Sequence, residues 1–539
     1  MSAAKEVLDR HQELRTLRQP EEKAWRDIAE FLRPDDTSFE PSAPTTQRDD
    51  AEIFDSTALY ANDDFAGGVF SQMSNPANRW FEIADPDPEL NAFGPVKAWT
   101  WAAANVVYAS LHPNVSSFYV NAPATFADMG AFGFGVFSQQ EMVGRQRIAD
   151  RSVPIGQTYL DVDEAGETST CHNAFQMRGR QAKLFFARLG SPLDDARVRD
   201  DGTYNFVQAV SPNPEARADR VGPRYKPFRS VYVSQDVRDL YIDGGYDTLP
   251  YHVVGWSARG GRIYPRGPGH NARADMRTLN EIERSDLIAT QFAAEPLLLL
   301  RDEDVVSAAD IVPNAVLFGA VSQRGEAYAQ YLERQSQLNP VLQKANQKRQ
   351  AIQMAFRFSL MQLLNRPQMT RGEFEGWQAE QLRQMAPNLI QVQKGLGSFL
   401  ARRYMILDGM GLIPPAPPEL AERALNIQFV SPLDKVQRLD EGKAVLTLHE
   451  GIERMAVTDP AIRDNFNGDV AARTLAASLY TVPGILNDER RVAAIRDQRA
   501  KAQAAAGQLQ QAGQVADIAA VAAHAAQAAT AAGARTGGR

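Results

Sequence analysis

Ala272-Arg-Ala-Asp-Met-Arg-Thr-Leu-Asn-Glu-Ile-Glu-Arg-Ser-Asp-Leu-Ile-Ala-Thr-Gln-Phe-Ala-Ala294 and Pro340-Val-Leu-Gln-Lys-Ala-Asn-Gln-Lys-Arg-Gln-Ala-Ile-Gln-Met-Ala-Phe-Arg-Phe-Ser-Leu-Met-Gln-Leu-Leu364 read as two long helices. The second carries Ile352, Phe356 and Leu360 at four-residue spacing, one face of a helix. At about 1.5 Å per residue, a helix of about 25 residues is about 37 Å long, more than a helix packed within a small domain needs. Between the two lie the aliphatic run Leu297–Leu300, the acidic turn Asp302-Glu303-Asp304, and Ile311-Val-Pro-Asn-Ala-Val-Leu-Phe318. That composition predicts a small β-containing module inserted into a helical hairpin.

The second helix also holds the one conspicuous charge pattern. No acidic residue occurs between Glu333 and Glu373, whereas Arg334, Lys344, Lys348, Arg349, Arg357, Arg366 and Arg371 are all basic. The chain as a whole is acidic, with a formal charge of −8. A global positive field that would coat nucleic acid is therefore excluded, and any DNA contact must be local. The basic stretch has two readings. It is a belt facing phosphate, or a face solvated or paired with Glu281, Glu283 and Asp286 of the first helix. At about 100° per residue, Arg349 falls on the apolar stripe itself and is the residue expected at an interface. Lys344 and Lys348 rim one edge of the stripe, and Arg357 lies beyond the other.

Outward from the hairpin, the 539 residues suggest three or four folding units at about 150 residues each. Residues 1 to 32 read as helix, with Pro20 at a first helical position and Trp25, Ile28, Ala29 and Leu32 on one stripe. Asp55-Ser56 is an N-cap for a helix to Met73 with the stripe Leu59, Asn62, Ala66 and Val69. A strand at Trp80–Ile83 and a helix from Pro95 to Leu111 follow. From Phe132 to His270 the texture is β-rich, with runs such as Gln157–Leu160, Tyr204–Val207 and Ser230–Val233 between Gly, Pro and Asp turns, and one short helix at Gln181–Leu189. Beyond the hairpin, a helix from Arg371 to Asp408 has Gly395 and Gly397 as points where it could kink. A strand at Ile427–Val430 precedes helices to the end, and the Ala/Gln tail after Ala500 reads as a long helix or a frayed one.

Much chemistry is missing from the sequence. There is no phosphate-binding Gly-x-x-x-x-Gly-Lys-Ser/Thr, no His-Glu-x-x-His and no Gly-x-Ser-x-Gly, and the seven histidines never pair at metal-ligand spacing. The single cysteine, Cys171, excludes an intrachain disulfide and any multi-cysteine metal site. Cys171-His172 in a strand would point to opposite faces and cannot form a nucleophile–base pair. Asp161-x-Asp163-Glu164 with Gly166 reads as a hairpin turn rather than a calcium loop, because the twelfth-position Glu is lacking. The glycines of Gly130–Gly135 and Gly260–Gly269 read as close backbone packing. The reading is a non-enzyme with no cofactor and no metal. The longest aliphatic run is too short to span a bilayer, so no membrane partner is expected.

Several stretches, in order, resemble the head-to-tail connecting family, the portal proteins of short-tailed bacteriophages. They are Arg18-Gln-Pro-Glu-Glu-Lys-Ala-Trp25 on to Pro34, Ile53–Ala58, Asn78-Arg-Trp-Phe81, Ser116-Ser-Phe-Tyr119, Phe132-Gly-Phe-Gly135, Leu249–Trp256, Tyr264–Gly269, Arg277-Thr-Leu-Asn-Glu281 and Val482-Pro-Gly-Ile-Leu486. Pro265 departs from the glycine expected in that family's Tyr-Gly-Arg turn, and the Ala/Gln tail has no counterpart.

The resemblance implies an α+β, mostly helical portal fold with wing, stem, clip and crown regions, assembled as a ring of twelve subunits at one capsid vertex around a DNA channel. Carried onto this chain, residues 1–270 and 372–430 would be wing, 271–295 and 339–364 the stem helices, and 296–338 the clip. Residues 365–371 would be a channel loop, 431–498 the crown and 499–539 a helical or flexible tail. Lys344, Lys348, Arg349, Arg357, Arg366 and Arg371 are then candidates to face the channel. Asp302, Glu303, Asp304, Val312, Val316 and Phe318 are candidates for partner binding at the clip. The implied partners are further copies of the chain, double-stranded DNA without sequence preference, the terminase and then tail adaptor proteins, and the major capsid and scaffolding proteins. The implied location is the virion, after synthesis in the bacterial cytoplasm. A different phage ring component such as a tail adaptor, or a metal-dependent nucleic-acid-processing enzyme using pairs such as Asp63-Asp64, are the alternatives. Chain length and the inserted hairpin weigh against the first, the missing ligand constellation against the second.

Overall fold

The structure, a computed structural model, describes residues 3–34, 39, 53–87, 90–91, 93–142, 147–194, 198–257, 262–294, 298–300, 329–331, 338–356, 371–420, 426–429, 432–479, 485–487 and 489–533. Helix and sheet are mixed, with helix predominating. The chain divides into two compact units, one of Met1–Ile83, Ala103–Pro415 and Asn426–Val436, the other of Ala84–Ala102, Ala416–Leu425 and Gln437–Arg539.

In the first unit, α1 spans Ala3–Leu32 without a break and holds Pro20 in its interior rather than at its start. The expected stripe Trp25, Ile28, Ala29 and Leu32 is buried, and an unforeseen second set, Ala4, His11, Leu14 and Arg18, buries the N-terminal half. Arg18 anchors this half of the helix to residues 155–158. Its Nη1 donates to the carbonyls of Ile155, Gly156 and Thr158 at 3.1, 3.0 and 2.9 Å, so the buried guanidinium is satisfied.

α2 covers Thr57–Met73, and its cap is Asp55, whose Oδ1 accepts the Thr57 amide at 2.8 Å, while Ser56 makes no side-chain cap bond. Asn62, Ala66 and Val69 are buried as expected, but Leu59 is only half-buried, because Ala58, Ala61 and Phe65 turn the inward face. β1 (Phe81–Ala84) and α3 (Gly94–Leu111) follow. The next helix, α4 (Phe118–Phe132), has no counterpart in the sequence reading, since every residue from Thr125 to Phe132 is buried and there is no polar face to reveal a period.

Two antiparallel sheets follow. β2 (Phe134–Met142) lies between β3 (Arg147–Val153) and β9 (Tyr251–Gly255), with Val136 opposite both Val153 and Val253. The other sheet is a meander of β4 (Thr158–Val162), β5 (Thr168–Arg178), β6 (Thr203–Pro212), β7 (Phe228–Ser234) and β8 (Leu240–Tyr246) in sequence order. Alternation along its strands separates two cores. Ala174, Val207, Val231 and Val233 meet α1, whereas Phe206 and Tyr232 meet Ala182 and Phe186 of α5 (Gly179–Arg188). Asp163 closes the β4–β5 hairpin, its Oδ1 accepting the amides of Ala165 and Glu167, so the acidic run is a turn, as expected.

The glycine-rich stretches are places of close approach, also as expected. Gly133, at φ 92°, ends α4, and a Cβ there would lie 2.4 Å from the Pro265 carbonyl oxygen. Then come α6 (Pro268–Ala294), an antiparallel pair β10 (Leu298–Leu300) and β11 (Ala329–Tyr331), and α7 (Leu338–Ala355). The inserted module is thus closed at its base by a β-ladder that pairs Leu298 with Tyr331. α8 (Arg371–Gly409) runs through Gly395 and Gly397, so neither glycine ends it. β12 (Asn426–Phe429) pairs with β1.

In the second unit, α9 (Pro432–Ala456) and α10 (Gly468–Ser478) approach closely where Gly442 faces Ser478. The tail forms a single 45-residue helix, α11 (Glu489–Gly533). Near its start, Arg496 donates two bonds of 2.7 Å to the Asp469 carboxylate. Among the described residues no helix is long and apolar enough to cross a membrane.

Candidate nucleic-acid interface

The site begins with how α7 is seated. Ala345, Ile352 and Phe356 are buried, and the Phe356 ring meets Phe65 of α2 edge-on at 6.2 Å, which in turn meets Trp256 at 4.7 Å. Leu360, the third member of the expected stripe, lies outside the described residues. The inner end of the helix pair is therefore held by aromatic packing.

The outer end differs. Asn280 is the last buried residue of α6 among those whose side chains are described, and beyond it Leu287 and Ile288 are exposed. Across from them α7 exposes Val341 and Leu342. Beyond Asn280, Arg284 of α6 still reaches the Phe54 ring, with its guanidinium carbon 6.0 Å from the ring centre.

The described basic residues of α7 differ in their partners along this hairpin. Lys348 Nζ donates to Asp275 Oδ1 at 2.6 Å. Arg349 bridges two elements, with Nε donating to Asp55 Oδ2 at 2.9 Å and Nη2 to Glu283 Oε1 at 2.6 Å. Asp55 thereby caps α2 with one oxygen and receives α7 with the other. Among the described residues, Glu283 is the only one of the anticipated carboxylates that takes part, while Asp275 and Asp55 were not anticipated as partners. The signal for Asp275 was present, since it lies two helical turns before Glu283 on the same face. No sequence signal links Asp55 to Arg349, 294 residues apart. Lys344 remains exposed at the outer end.

Arg357 and Arg366 lie outside the described residues, and Arg371 is the first residue of α8. Asp302, Glu303, Asp304, Val312, Val316 and Phe318 also lie outside them. Among the described residues no group of three or more His, Cys, Asp or Glu side chains is arranged to hold a metal ion. Cys171 is buried, and burial pushes its thiol far above its usual range, which leaves it without nucleophilic character.

The described part of this region is a two-helix hairpin with a β-ladder between its arms and a few cations along α7. Residues 4–485 match the bacteriophage head to tail connecting protein family, and the chain belongs to that family. The portal protein of Salmonella phage epsilon15 is 26% identical over 514 residues, covering 91% of this chain and 90% of that protein. A probable portal protein of Bordetella phage BPP-1 is 26% identical over 522 residues, covering 93% of this chain and 92% of that one.

Proposed function

We propose that this chain is a phage portal protein, twelve copies of which form a ring at one capsid vertex through which the genome is packaged and later ejected. The collinear likeness to two portal proteins over more than nine-tenths of this chain carries this reading. In it, α6 and α7 are the stem, 296–338 the clip that receives first the terminase and then tail adaptor proteins, and 365–371 a loop at the channel. The wing, 1–270 and 372–430, meets the capsid shell and scaffold, and residues 431–498 form the crown.

The charge arrangement supports a passage rather than a binding site. Each neutralised phosphate adds affinity, and a continuous cationic lining would hold DNA in place. Here the chain is net acidic, and two of the cations on α7 are already taken by carboxylates. Lys344 and the arginines at 357, 366 and 371 are then the sparse belt that touches DNA, while Lys348 and Arg349 hold the hairpin in shape. Force for translocation comes from a separate ATPase, because the sequence holds no phosphate-binding loop. Electron microscopy of the purified chain tests the reading. Closed rings of about a dozen subunits with an open centre are expected, and a monomer would overturn it.

A further inference from the structure

The N-terminal half of α1 lies on the five-stranded sheet through Ala4, Val7, Leu8, His11, Leu14 and Arg18, residues one helical turn apart. Four of these are ordinary helix–sheet contacts. His11 is not. Its ring stacks on that of His172 in β5, with centroids 5.8 Å apart and planes within 13°, and meets Tyr159 of β4 edge-on at 4.6 Å. Both histidines are buried, and the Nδ1 atom of each has no hydrogen-bond partner. A leucine pair would fill this space without stranding two polar atoms.

The surroundings are hostile to a proton. The charges acting on the two rings are the guanidiniums of Arg10, Arg15 and Arg18, all from α1. β4 brings Tyr159 and Asp161, and Arg10 already engages that carboxylate along with Glu13. β5 adds the buried thiol of Cys171, while β6 and β7 face α1 with Val207, Val231 and Val233. Burial and then Arg18 and Arg15 lower His11 to about 4, and burial, His11 and Arg10 lower His172 to about 3. Both folded values lie below the ordinary 6.5, so the closed contact is fully favoured above that pH and weakens as pH falls from there toward 4 and 3.

We propose that the His11–His172 stack is an acid latch that holds the N-terminal half of α1 on the sheet at neutral pH and releases it when either ring is protonated. The hinge is the turn from Thr16 to Pro20, where proline supplies no amide to the Thr16 carbonyl. Arg18, held by three carbonyls, is the last fixed point, so the released piece is Ala3 to about Thr16.

Hydrogen–deuterium exchange on the full chain, corrected for the intrinsic effect of pH, tests this. Opening of residues 3–16 should rise at least about thirtyfold between about pH 7.5 and about pH 5, while residues 21–32 keep their protection. His11→Phe keeps a ring against Tyr159 with one titrating group fewer and should cut the acid-driven opening at least about tenfold. His11→Phe with His172→Phe should abolish it, and if that double variant does not fold the single one decides. Protection of 3–16 that ignores pH, loss shared equally by β5 to β7, or acid opening unchanged in His11→Phe each overturns the latch.

Discussion

Arg403 of α8 donates from Nη1 to both carboxylate oxygens of Asp150 in β3, at 3.0 and 2.8 Å, with both side chains fully buried. The rest of the guanidinium is spent on Ser110, Nε to its hydroxyl at 2.7 Å and Nη2 to its carbonyl at 2.6 Å. Ser116 also donates to the Asp150 carboxylate, and Ser117 and Asn121 donate to its carbonyl oxygen. One buried ion pair thus fixes the end of α3, the start of α4, β3 and α8 to one another.

Asp150→Asn would leave that guanidinium buried without its counter-charge. A loss of about 3–5 kcal/mol in unfolding free energy is expected, measured by chemical denaturation. Arg403→Met should cost less than Asp150→Asn, since an apolar chain of similar length strands only the acid, which Ser116 still supports. Equal, small losses in both would show that the pair is not the clasp.

Gly395 separates two explanations of the same residue. The sequence offered it as a point where the chain could kink; α8 continues as helix through it, and a Cβ there would lie 2.5 Å from the Val253 carbonyl oxygen of β9. Gly395→Ala should therefore destabilise by about 1–3 kcal/mol through overpacking. Gly397 is the control, because the nearest atom to its Cβ would be Phe429 Cε2 at 3.5 Å, an ordinary van der Waals distance. Gly397→Ala should be neutral or stabilising by up to about 1 kcal/mol. A reversed order in thermal melts would return the kink as the better account.

What the sequence disclosed follows physical lines. Amphipathic or sharply bounded elements were legible, among them the helix beginning at Arg371, the strand at Phe81 and the hairpin around the insert. α4 was not, because total burial erases the polar face that periodicity depends on. Pro20 misled, since it sits inside a continuous helix rather than at its first position. Of the candidate interface, the cations were found by their charge run, but the pairing of Lys348 and Arg349 depends on Asp55, Asp275 and Glu283 meeting α7 in space.

Two further histidines, His252 buried and His270 half-buried, add to the pH dependence of the fold. Burial, with Arg402 nearby, lowers His252 to about 3, and burial with Arg266, Arg273 and Arg262 lowers His270 to about 4. Their folded values are below the ordinary 6.5, so stability is complete above that pH and is lost as pH falls through the window down to 4 and 3. Melting temperatures should be flat from about pH 8 to about pH 7 and decline steadily by about pH 5. His252→Gln should flatten part of that decline. A melting temperature independent of pH across this range would contradict the assignment.

The last prediction separates the two jobs given to the cations of α7. Arg349 bonds Asp55, whose side chain is only 8% exposed, so Arg349→Gln leaves a nearly buried carboxylate with the Thr57 amide as its remaining described donor. A cost of about 1–3 kcal/mol is expected. Lys348 and Asp275 keep about a third of their surface in water, and Lys348→Gln should cost about 1 kcal/mol or less. Each change should alter the salt dependence of DNA binding by the assembled ring less than Lys344→Gln does, since each of these cations is already paired with a carboxylate. Lys344→Gln should do the reverse. Its side chain is exposed on a helix where Gln has nearly equal propensity, so melting should not move. Retention of DNA should weaken, and the slope of log affinity against log salt should become shallower by up to about 0.9 for each phosphate that is no longer neutralised. If Lys344→Gln leaves that slope unchanged while Arg349→Gln flattens it without loss of stability, the residues assigned to the hairpin and to the channel have exchanged places.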